Sequence, residues 1–64
     1  MLSIGDRGDA VRQLQRALVG QGYVLTAGGV FGKVTEVAVQ QFQERHGLEA
    51  DGVVRPMTNG VLRL

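Results

Sequence analysis

The chain has 64 residues, 44% of them hydrophobic, with no cysteine, a single histidine (His46), and a formal net charge of +1 from seven Lys+Arg against six Asp+Glu. One domain of this length buries only about 60% of the surface its unfolded chain exposes. With no disulfide, and one histidine too few for a tetrahedral zinc site, ordinary packing must supply the core, and neither metal nor cofactor is expected. The charge balance speaks against a dedicated nucleic-acid binder, and apolar runs of at most three residues leave no membrane span.

Ten glycines bracket the helical stretches. The first helix is expected over about 9–20. Val11, Leu14 and Leu18 recur at i, i+3 and i+7 with Ala10 and Ala17 beside them, and Arg12, Gln13 and Arg16 take the far side. Asp6 or Gly8 is a candidate cap, Asp9 suits the first turn, and Gly20 or Gly22 is a natural left-handed terminator. The second helix is expected over about 33–46. Val34, Thr35, Ala38, Val39 and Phe42 face inward, Val37 sits at the edge, and Gln40, Gln41, Glu44 and Arg45 face water before Gly47 ends the element. The third is expected over about 56–63, opened by Pro56 at its first position and turning Thr58, Val61 and Leu62 inward. The connections carry Tyr23, Leu25, Val30, Phe31, Leu48, Val53 and Val54, too apolar for solvated loops. The fold class is therefore all-α: one small three-helix domain over residues 1–64 with two structured loops.

The loops contain an internal loop–helix repeat. Residues 28–39 align with 51–62, with identities at Gly29/Gly52, Val30/Val53 and Thr35/Thr58. Each copy reads as a turn that needs positive φ at glycine, an apolar residue entering the core, and a helix start whose threonine bonds back to the loop or to free N–H groups.

The series Gly5-x-x-Gly8-x-x-Val11-x-x-Leu14-Gln15-x-x-Leu18, Gly22-Tyr23, Gly29-Val30-Phe31-Gly32-x-x-Thr35-x-x-Ala38-Val39-x-x-Phe42-Gln43, Gly47-Leu48-x-x-Asp51-Gly52-Val53 and Pro56-x-Thr58-x-x-x-Leu62 runs almost the length of the chain. It resembles the small peptidoglycan-binding domain of bacterial and phage cell-wall hydrolases. Three positions depart from that family: Gly28 in place of aspartate at the first corner, Arg55 in place of the glycine before the proline, and Asn59 in place of an aromatic. The same fold serves as a pro-segment in animal matrix metalloproteinases, where it carries a regulatory cysteine that this chain lacks.

No catalytic set is expected. Ser3, the only serine, lies at a terminus expected to fray, and Asp6/Asp9 and Glu49/Asp51 read as caps and solvated charges in a chain too small for a glycan cleft. A helix-turn-helix reading fails on charge, because Lys33 and Arg45 are offset by Glu36 and Glu44. The resemblance implies a non-catalytic module that binds peptidoglycan, by stem peptide, glycan or both, and brings an attached or partner hydrolase to its substrate. The alternative is a protein-docking or pro-segment helical domain without wall affinity. The expected ligand groups are Lys33 and Arg55 beside helix starts, Tyr23 (a flat face, or a core residue), Gln40 and Gln43, with Asp51 beside them. The module is expected to be a monomer within a longer chain, acting in the cell wall or periplasm without contact to nucleic acid or membrane. Residues 1–20 lack the apolar stretch of a signal peptide, so export is expected to depend on another segment or protein.

Overall fold

Glycine and proline set the helix limits. In the computed structural model, which describes residues 1–63, the elements are α1 (Asp9–Gly20), α2 (Lys33–Arg45) and α3 (Pro56–Leu62). α1 starts after Gly8, whose φ of 124° is open only to glycine, and no side chain caps it; the Asp6 carboxylate instead accepts the Ser3 amide at 2.9 Å. The chain leaves α1 through Gln21 and turns at Gly22, φ 100°. α2 ends one residue sooner than its periodicity suggests, with His46 as its C-cap, and α3 ends one sooner, with Arg63 as a left-handed cap. Pro56 opens α3 as expected.

The core joins Val11, Leu14 and Leu18 of α1, Ala38, Val39 and Phe42 of α2, Leu62 of α3, and one plug from each connection, Phe31 and Val54. Leu2, Ala17, Tyr23 and Leu25 pack around it. Four residues expected inside are not. Ala10 and Val61 are exposed, Val30 points out while its neighbour Phe31 enters the core, and Val34 is 63% exposed. The buried face of α2 is Thr35, Ala38, Val39, Phe42 and Gln43, a regular i, i+3, i+4, i+7, i+8 stripe that includes two polar residues. Val34 lies one residue, about 100°, off that stripe.

The amino-terminal segment is not frayed. Leu2 exchanges backbone hydrogen bonds with Val54 at 3.1 and 2.7 Å, Gly5 donates to the Phe31 carbonyl and Phe31 to that of Asp6, both at 2.9 Å, and Gly8 donates to Gly29 at 2.8 Å. Residues 2–8 thus lie across both corners as a clasp. The isolated antiparallel bridges Leu2–Val54 and Arg7–Val30 are the only extended pairing among the described residues.

Candidate functional site

Each corner is held by a buried glutamine. On α1, Gln15 is 1% exposed. Its Nε2 donates to the Val30 carbonyl at 2.9 Å and to Thr35 Oγ1 at 3.0 Å, and its Oε1 accepts the Gly29 amide at 2.8 Å. On α2, Gln43 repeats the pattern: Nε2 donates to the Val53 carbonyl (2.8 Å), Thr58 Oγ1 (3.2 Å) and Asp51 Oδ1 (3.3 Å), and Oε1 accepts the Gly52 amide (2.9 Å). The threonine hydroxyls therefore accept from glutamine rather than capping their helices. The glycines have the positive φ expected, 89° at Gly29 and 77° at Gly52; a Cβ at Gly52 would stand 2.8 Å from Glu36 Cγ. Gln43, expected among the ligand groups, is 1% exposed and holds the second corner from inside.

The two corners differ in what they present outside. The second carries Asp51, whose Oδ1 accepts the Val53 amide at 3.0 Å and whose Oδ2 accepts Arg55 Nε at 3.0 Å and pairs with Nη2 at 2.8 Å. The first has Gly28 and Gly32 at the matching places and lies open. Next to it, Tyr23, Val24, Lys33, Val34, Val37, Ala38 and Gln41 line a groove of about 260 Å³ between the 23–26 segment and α2. Its walls are unusually apolar for a surface: Val24 is 96% exposed, Val34 63% and Val37 36%. Tyr23 is half-buried, with its ring edge-on to Phe42 at 6.4 Å between centroids, so it serves the core and the groove together. Lys33 Nζ rests 3.2 Å from Glu36 Oε1 in an exposed pair. Gln40 is half-buried against Gly52, towards the other corner. Of the six expected ligand residues, then, Lys33 and Tyr23 meet at the groove, while Arg55, Asp51 and Gln43 form one cluster at the second corner with Gln40 beside it.

Residues 7–62 match the family described as "Putative peptidoglycan binding domain". The chain belongs to this family. The peptidoglycan-binding domain is 48% identical over 60 residues to a zinc D-Ala-D-Ala carboxypeptidase of Streptomyces albus G, an alignment covering 89% of this chain and 24% of that enzyme. It is similar to the crystal structure of a Burkholderia AP3 phage endolysin (44% identity, TM-score 0.93, 95% of this chain and 24% of that one). It is likewise similar to a peptidoglycan-binding protein of Clostridioides difficile in complex with glutamine hydroxamate (36% identity, TM-score 0.94, 95% and 39%). The domain thus spans about a quarter of the carboxypeptidase and of the endolysin. It is a peptidoglycan-binding module, and domains of this family act at the cell wall. Among the described residues no helix is long and apolar enough to cross a membrane, and no three His, Asp or Glu side chains gather as a metal site.

The Asp51 carboxyl of the domain lies below its ordinary value of 3.8, chiefly through the Val53 amide and then through Arg55 and Gln43, against an opposing effect of burial. A depressed carboxyl stabilises the fold above its unfolded pKa, and that contribution is lost as pH falls through the folded value. The melting temperature of the parent protein should therefore fall more steeply below about pH 4 than that of Asp51→Asn. Parallel acid profiles by circular dichroism would refute this role for Asp51.

Proposed function

We propose that the domain holds the peptide stems of peptidoglycan in the groove between the 23–26 segment and α2, and so keeps an attached hydrolase on its insoluble substrate. The observation that carries this reading is the run of exposed valines, Val24, Val34 and Val37, beside a cation and an aromatic ring. Stem peptides alternate alanine methyl groups with free carboxylates and amides. The valine walls suit the methyl groups, Lys33 a carboxylate, Gln41 a peptide amide, and the Tyr23 ring a flat contact. Exposed pairs such as Lys33–Glu36 are worth about 0–1 kcal/mol, so turning the ammonium toward a ligand costs little. Arg55, Asp51, Gln43 and Gln40 set the shape of the second corner in this reading, and Arg55 keeps half of its side-chain surface in solvent for an outlying contact. In this reading the module works as a monomer, and its place within a longer chain is in keeping with relatives of which it spans about a quarter. Anchoring raises the local concentration of the linked enzyme without adding chemistry.

Lys33→Glu and Val34→Asp are each expected to weaken co-sedimentation with purified sacculi by about tenfold, equivalent to roughly 1.4 kcal/mol, with an unchanged melting temperature. The Lys33 contribution should fade as salt rises, and the valine contribution should persist. Undiminished retention of both variants would remove the groove from the wall contact. A folded parent domain that stays in the supernatant would instead favour docking to another protein.

A further inference from the structure

The groove continues past Tyr23 and Gln41 into a second hollow of about 630 Å³, whose other lining residues are Glu44 and Arg45. Tyr23 and Gln41 line both hollows, so the two adjoin as a shallow surface channel open to solvent. Lys33, Val37, Gln41 and Glu44 follow one another at helical spacing along one face of α2, with Arg45 at its border. Lys33 and Glu44 stand roughly 16 Å apart along the axis. The ion pairs among the described residues are Arg12–Asp9, Lys33–Glu36 and Arg55–Asp51. Glu44 and Arg45, an acid and a base side by side at the channel's end, belong to none of them.

Resting on the stem-peptide reading above, we propose that this end of the channel selects stems whose third residue ends in a free α-amino-carboxylate, as diaminopimelate does, over stems ending in the lone ammonium of lysine. The complementarity is one of charge. Arg45 grips the terminal carboxylate, Glu44 takes the neighbouring ammonium, and Lys33 takes the α-carboxylate of the preceding glutamate at the other end. In an extended tripeptide those two ligand ends are eleven bonds, roughly 14 Å, apart, counted from ordinary bond lengths. Long, flexible Lys33 and Arg45 side chains close the remaining distance from opposite ends of the helix face. A lysine stem offers Glu44 its ammonium but leaves Arg45 unmatched. Its ligand charge is also one carboxylate poorer against two protein cations.

The test is a chemical-shift titration of the 64-residue domain with two synthetic tripeptides, L-Ala-γ-D-Glu-meso-diaminopimelate and L-Ala-γ-D-Glu-L-Lys. The first is expected to bind at least fivefold more tightly, with shifts reaching Gln41, Glu44 and Arg45, and Arg45→Gln is expected to abolish the preference without altering the melting temperature. Amidation of the terminal diaminopimelate carboxylate should abolish it as well. Equal affinity for the two tripeptides, or a preference that survives Arg45→Gln, overturns the selectivity; if shifts at Val34 and Val37 persist, the groove reading stands without it. Absence of shifts along the whole channel with either peptide overturns both.

Discussion

Replacing Gln43 with leucine should cost the domain most of its stability. The substitution keeps the volume and removes the polar atoms that serve the Gly52 amide, the Val53 carbonyl and the Thr58 hydroxyl. An orphaned buried polar group costs about 1–3 kcal/mol, so the expected loss is about 3–5 kcal/mol. Domains have roughly 0.05–0.15 kcal/mol of stability per residue, which leaves this one little in reserve. Gln15→Leu should do the same at the first corner, where the Gly29 amide, the Val30 carbonyl and Thr35 lose their partner. Gln→Glu should rescue neither, because a carboxylate accepts but cannot donate. Urea unfolding followed by circular dichroism reads the effect as a shift of the midpoint. A loss below about 1 kcal/mol at both sites would mean that the corners hold without their glutamines.

The second large effect is at Phe31. It is fully buried, and Phe31→Ala is expected to cost about 3–5 kcal/mol through lost transfer energy and the cavity left behind. Val30→Ala, one residue earlier, should stay within about 0.5 kcal/mol because that side chain faces solvent. Thermal melts of the two variants side by side check which residue plugs the corner. A costly Val30→Ala beside a mild Phe31→Ala would reverse the register.

The helices were legible because glycines and one proline mark their ends and the apolar spacing of α1 is unambiguous. The inward face of α2 was legible only in part. Counting apolar residues puts Val34 inside and leaves Gln43 out, whereas the true stripe runs from Thr35 to Gln43, whose buried polar atoms bond Gln15 and Thr58 across the two corners. That same misphasing hid the candidate site: Val34, read as core, is a wall of the groove. Val24 gave no periodic signal in a connection, and its exposure follows from tertiary placement alone. The glutamine clamps did leave a trace. Ala10-Val11-Arg12-Gln13-Leu14-Gln15 and Ala38-Val39-Gln40-Gln41-Phe42-Gln43 share four identities, so the loop–helix repeat extends back into the preceding helix of each copy. A corner needs a donor–acceptor side chain of fixed length one helix earlier, and the twin hexapeptides supply it. Lys33 and Tyr23 could be named from position, but their meeting at one groove depends on how the 23–26 segment folds over α2.

The clasp formed by residues 2–8 has a consequence for biosynthesis. Its outermost link joins the second residue to Val54, so it cannot close until the ribosome has released nearly the entire domain. α1 and the first corner, tied to each other by Gln15 and Gly8, can assemble while translation continues, but the final seal waits for Val54 at the second corner. Contacts this distant in sequence slow the search for the native state. The nascent module therefore closes its clasp late, after its first corner has had the chance to form.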